Sequence, residues 1–143
     1  MATDPNYSLT ELVQGAGRDH IYHVQEQVIA AFLAAFADHS RIHVDDEYAR
    51  TQGFKARVVH GAILNGFVSH FIGMIMPGHK AMVLSVDMRY HNPVYLDDVI
   101  EMHGEVTHQS PAQKVVVMEF TLKNQTQANI AAKANAKIKV RDE

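Results

Sequence analysis

An aspartate, a histidine and a glycine are the residues best placed to do chemistry. Asp38 closes a run of apolar residues at helical spacing, and His43 follows five positions later. A carboxylate and an imidazole brought together can hold a water and move its proton, because both groups can cycle near neutral pH when their surroundings are tuned. Gly61 opens the most apolar stretch of the chain, GAILNGFVSHFIGMIM. The first N–H groups of a helix have no intrahelical acceptor and carry partial positive charge, so such a start can receive an oxyanion. Ser69 lies eight residues along that stretch, a little over two turns, and points roughly the same way as Gly61.

Blander readings stand beside these. Asp38 alone reads as a carboxylate at a helix end, and Ser69 as a core serine that needs a hydrogen-bond partner in any case. His60 reads as a structural residue next to the helix start. His39 and His43 sit four apart, but no helical pattern supports the stretch and no HExxH is present, so no metal is expected. His20, His23, His79, His91, His103 and His108 carry no spacing signal.

The elements that must position these residues are legible in the hydropathy pattern. Residues 20–24 read as a short strand. Val28, Ile29, Phe32, Leu33 and Phe36 predict a helix over 25–37. Asp45 is a candidate N-cap and Gly53 a candidate stop for a short helix between them. The apolar stretch from Gly61 to about Met76 predicts a helix buried on nearly all its faces, ended by Pro77-Gly78. After residue 80 the period changes to two. Met82 to Tyr90, Ile100 to Thr107, Val116 to Lys123 and Ile130 to Val140 each alternate apolar with polar, the mark of a half-buried strand. Turns fall at 110–113 and 124–129. Helices first and four strands after them predict an α+β fold, an antiparallel meander closed over one apolar helix.

Composition sets the outer limits. The 143 residues contain no cysteine, which removes disulfides, thiolate catalysis and cysteine-based metal centres together. A net charge of -3 gives no footprint for nucleic acid. No segment reaches the length and apolarity of a membrane span, and the start, MATDPNYSLTELVQG, has no apolar signal core, so a cytoplasmic protein is expected. One domain over 1–143 is expected, with residues 1–16 a loose N-terminal arm. A single sheet around one helix leaves an edge, and edges are usually managed by pairing, so a homodimer or larger homo-oligomer is expected.

The stretch FADHSRIHVDDEYARTQGFKARVVHGAILNGFVS resembles the hydratase motif of the MaoC-like, (R)-specific enoyl-CoA hydratases. That pattern is G-D-x-N-P-x-H, then an acidic helix, then V-H-G opening the central helix of a hot-dog fold. Asp38 and His43 keep its Asp-to-His spacing, Val59-His60-Gly61 matches V-H-G, and Ser69 falls on its helix serine. MRYHNPVYLDDV resembles the family's strand and turn. Ala37, Ser40-Arg41 and Asp97 stand where the family has Gly, Asn-Pro and Gly.

The resemblance implies reversible addition of water to a trans-2-enoyl thioester, giving a (3R)-3-hydroxyacyl thioester, with coenzyme A or acyl carrier protein as carrier. It implies a dimer, and no cofactor beyond the carrier, which is part of the substrate. It gives Asp38 and His43 the catalytic roles and the Gly61 N–H the oxyanion, with Ser69 orienting Asp38 and with Ser40 and His60 supporting. Two other readings compete. A hot-dog thioesterase would place an acid on or near the central helix, and residues 61–76 hold none. A catalytically silent acyl-CoA-binding module would need neither Asp38 nor His43.

Overall fold

The four period-two segments and the short one before them build a single five-stranded antiparallel sheet. The computed structural model describes residues 5–142. In chain order the elements are β1 (Gly17–His23), α1 (Glu26–Phe36), α2 (Arg41–Val44), α3 (Asp46–Thr51), α4 (Gly61–Met74), β2 (Ala81–Tyr90), β3 (Val99–Ser110), β4 (Val115–Asn124) and β5 (Asn129–Val140). The strand order is β1-β3-β4-β5-β2.

That order corrects the expected meander. β3, β4 and β5 are hairpin neighbours, but β2 pairs with β5 and not with β3, and β1 supplies the neighbour of β3. Alternation fixes which face of a strand is buried and leaves its partner open. Here the 91–98 loop carries the chain across the end of the fold, pinned by backbone hydrogen bonds between Val24 and both Asp97 and Asp98.

The apolar faces close over α4 as expected. Ile100, Met102 and Val106 of β3, Val116, Met118, Phe120 and Leu122 of β4, and Ala132, Ala134, Ala136 and Ile138 of β5 are buried against Ile63, Leu64, Val68, Phe71 and Ile72 of the helix. Phe71 and Phe120 meet edge to face with ring centroids 5.4 Å apart, a geometry worth about 0.5–1.5 kcal/mol beyond the area it buries. Gly104 allows this contact, since a Cβ there would lie 2.6 Å from the Phe71 ring.

β2 departs from its predicted pattern. A bulge between Val83 and Ser85 breaks the alternation at Leu84, and Met82, Val83, Leu84, Val86 and Tyr90 are all exposed. The N-terminal segment departs too. In place of a loose arm, Tyr7 N–H donates to the Pro77 carbonyl, Gly15 N–H donates to the Val106 carbonyl of β3 while the Val106 N–H donates to the Ala16 carbonyl, and Leu12 is fully buried. Residues 1–4 of that expectation lie outside the described residues.

Candidate active site

The site forms where three segments converge on the start of α4. α1 ends at Ala37 in the left-handed conformation, φ 54°, its N–H donating to the Leu33 carbonyl. This αL ending turns the chain out of the helix and leaves Asp38 exposed beside it. The Ser40 N–H then donates to Asp38 Oδ1 at 3.2 Å, so Ser40 supports Asp38 through its backbone rather than its hydroxyl.

His43 stands on α2, a four-residue helical turn in a stretch that shows no helical pattern in the sequence. Asp45 caps the next helix as its type predicts, accepting from the Tyr48 N–H at 2.9 Å. That bond, followed by the Arg41 guanidinium, holds the exposed Asp45 carboxyl below the usual range. His43 Nδ1 donates to the Val58 carbonyl at 2.7 Å. A carbonyl can only accept, so the neutral ring carries its proton on Nδ1 and presents a lone pair on Nε2.

The segment before α4 is held from both sides. Val58 N–H donates to the Ile42 carbonyl and Val59 N–H to the Val94 carbonyl, each at 2.8 Å. His60 is thereby placed at the N-cap of α4, 2% exposed, where its side chain makes no capping bond. It turns back instead, and Nε2 donates to the Asp38 carbonyl at 2.8 Å. The His43 and His60 rings stack at 4.0 Å and 27°, with Phe32 tilted against the other side of His60 at 4.5 Å. One ligand-type atom from each of Asp38, His43 and His60 falls within 4.8 Å of the other two. The near-parallel stack turns ring faces toward each other, which suits packing better than convergence on an ion.

Gly61 begins the helix, and the N–H groups of Gly61 and Ala62 find no partner among the described residues. Gly61, Ala62 and His43 line a cleft of about 560 Å³, whose remaining wall comes from Phe54, Val58, Val59, Leu64, Tyr90 and the 91–94 loop. A Cβ at position 61 would sit 2.8 Å from the Tyr90 ring. A residue without a side chain is therefore what lets Tyr90 lie across the helix start. The Tyr90 hydroxyl donates to Asn65 Oδ1, and burial pushes it up from the ordinary phenol range while that bond opposes the shift.

The structure thus brings Asp38, His43, His60, Ser40 and Gly61 together. It leaves Ser69 apart. Eight residues of helix rise put Ser69 about 12 Å along the axis from Gly61, and the side chain is exposed with no hydrogen bond among the described residues. The rise along the axis, and not the direction Ser69 faces, separates it from the helix start. Tyr90, Asn65 and the Val58 carbonyl were not foreseen. Tyr90 sits in a segment read only as a strand and turn, and a main-chain acceptor leaves no trace in residue types.

A sheet wrapped round one apolar helix, with a carboxylate and an imidazole at the helix start, is the hot-dog architecture of the thioester hydratases. Residues 11–128 match the MaoC like domain, and the chain belongs to that family. It is 31% identical over 98 residues to an (R)-specific enoyl-CoA hydratase of Rhodospirillum rubrum, covering 68% of each chain. A 3-hydroxybutyryl-CoA dehydratase of Methylorubrum extorquens is 27% identical over 86 residues, covering 60% of this chain and 55% of that one. The solved R-hydratase PhaJ1 of Pseudomonas aeruginosa superposes with a TM-score of 0.87 at 28% identity, covering 96% of this chain and 88% of that one.

Proposed function

We propose that this chain is a hydro-lyase that adds water reversibly to trans-2-enoyl thioesters and gives (3R)-3-hydroxyacyl thioesters. One observation carries the reading. The His43 Nδ1 bond to Val58 leaves Nε2 as a bare acceptor, a ring nitrogen of His43 lies within 4.8 Å of a carboxylate oxygen of Asp38, and His43 lines the cleft that also holds the unpartnered Gly61 N–H.

In the hydration direction Asp38 and His43 hold one water between them. His43 Nε2 takes a proton from it as the oxygen bonds to C3, and the π pair moves through C2 onto the thioester oxygen. The Gly61 N–H meets that developing charge; a single donor of this kind contributes about 3–4 kcal/mol to the transition state. The imidazolium then returns the proton to C2 on the same face, which completes a syn addition and restores the neutral ring. Dehydration runs the same steps backwards. No step asks for a metal or an organic cofactor, since the coenzyme A or carrier-protein arm belongs to the substrate.

A second copy of the chain completes the reading. β2 is a sheet edge, and Leu84 and Tyr90 on it are 52% and 54% exposed. Pairing through that edge would cover these side chains and close the open side of the cleft at Tyr90. Light scattering at a dimer mass or a higher multiple supports this, and a stable monomer opposes it. No described helix is long and apolar enough to cross a membrane.

The experiment is the ultraviolet absorbance of a trans-2-enoyl-CoA mixed with the protein, with chiral analysis of the product. Loss of the conjugated thioester signal with appearance of the 3R alcohol supports the reading. Release of free thiol with the double bond intact would indicate a thioesterase instead.

A further inference from the structure

One rim of the cleft carries charge that the hydration step does not use. Phe54 lines the cleft and follows Gly53, whose φ of 91° turns the chain after α3. Arg50 and Lys55 flank this turn, both exposed, and Arg50 Nε donates to the Lys55 carbonyl at 3.2 Å, which ties the guanidinium to the backbone that follows Phe54.

Three of the carboxylates around them are engaged elsewhere. Asp45 pairs with Arg41 at 3.3 Å, Glu26 with Arg57 at 2.8 Å, and Asp46 accepts the Arg57 N–H at 2.8 Å. Glu47 on α3 is exposed and pairs with neither cation. The Lys55 ammonium donates to the neutral Gln127 Oε1 at 2.7 Å and lies 6.0 Å from the Tyr95 ring centre. Among the described residues Arg50 and Lys55 therefore form no ion pair, although Glu47 and Asp46 lie three and four positions before Arg50 on α3. The cations on the outer face of the sheet differ: Arg89 and Lys133 share their hollow with Asp87 and Glu119.

We propose that Arg50 and Lys55 form a phosphate-binding rim that takes the phosphate groups of coenzyme A as its pantetheine arm passes Phe54 into the cleft. The proposal rests on the hydratase reading of that cleft and names the carrier within it. A guanidinium fork and an ammonium are the side chains that bind phosphate best. Being exposed, they act through capture of the substrate and are weakened by salt.

The test compares crotonyl thioesters of coenzyme A and of N-acetylcysteamine, which has no phosphate, on the wild type, on Arg50→Gln/Lys55→Gln and on Arg50→Lys/Lys55→Arg. The kcat/KM ratio of the coenzyme A thioester to the short one falls about tenfold in the glutamine pair, the scale of one or two charge-assisted contacts. The charge-keeping pair recovers it, and added salt lowers it in the wild type and the charge-keeping pair but not in the glutamine pair. An equal ratio in wild type and glutamine pair overturns the proposal. Calorimetric titration of free coenzyme A separates the two readings. If no thioester is turned over yet coenzyme A binds about tenfold more weakly to the glutamine pair, the rim stands and the hydratase reading falls. Equal binding overturns the rim.

Discussion

The buried imidazole of His60 donates from Nε2 to the main-chain oxygen of Asp38 at 2.8 Å. A residue at the start of the central helix thereby fixes the backbone of the proposed catalytic carboxylate, twenty-two positions earlier in the chain. The same ring stacks on His43, so one side chain locates both members of the pair.

Replacement His60→Leu removes the donor and leaves the Asp38 carbonyl without its partner. A lost buried hydrogen bond of this kind costs about 1–3 kcal/mol. The variant is expected to melt earlier and to lose roughly tenfold in kcat, read by thermal unfolding and by turnover of an enoyl thioester. Unchanged stability and unchanged kcat would show that the bond positions nothing.

Ala37 holds φ 54° at the position where the family pattern has glycine, and Asp97, the other such position, holds 68°. The chain keeps the left-handed turns and has replaced the residue that makes them least strained. Ala37→Gly is expected to stabilise the fold by about 0.5–1 kcal/mol, or roughly 3 °C in Tm. A lower Tm would mean that the unfolded-state entropy of the new glycine outweighs the relieved strain.

His20 packs against Tyr22 and His70, with ring centroids at 4.8 and 5.6 Å. Burial first, then the His70 and Arg18 charges, holds the His20 pKa below 6.5, and the Tyr22 hydroxyl hydrogen-bonded to His70 is pushed well up by burial. The unfolded chain thus takes up the His20 proton before the folded one does. Stability from this group is present above about pH 6.5 and is lost as the pH falls from there through the lower pKa of the folded state. Between pH 7.5 and 5.5 the Tm of the wild type is expected to fall more than that of His20→Gln. Parallel curves for the two would remove His20 from the acid sensitivity.

Because the proposed chemistry uses a water held by Asp38 and His43, prolonged treatment with a chelator is expected to leave turnover unchanged. Loss of activity on chelation, restored by a divalent ion, would assign a metal to Asp38, His43 and His60 instead.

The apolar periodicities carried most of the fold into view. The 3.6-residue pattern of 28–36 located α1, and the run from Gly61 located the buried helix within two residues of its end. Strand partners stayed hidden, because β2 alternates like the inner strands and yet lies at the edge with its apolar side chains uncovered. The bulges at Leu84 and near Ala131 were equally invisible, since an extra residue between paired strands changes the register without changing residue types. In the site, Asp38, His43 and Gly61 were legible from type and spacing. What holds them was not: the Val58 carbonyl, the Ser40 N–H and the reach of His60 across the fold are main-chain contacts set by tertiary structure. Ser69 marks the converse, a spacing match whose side chain lies about two turns down the helix from the pair it was expected to serve.

The central claim is tested most directly by following the enoyl-thioester absorbance with wild type and with Asp38→Asn across acyl chains of graded length. Asn keeps the size of the side chain and removes its charge. The wild type is expected to consume the conjugated thioester and yield the 3R alcohol, and the variant to lose about 10²–10⁴ in kcat with its Tm unchanged. Steady absorbance with wild type at every chain length, or equal rates with Asp38→Asn, would contradict the account.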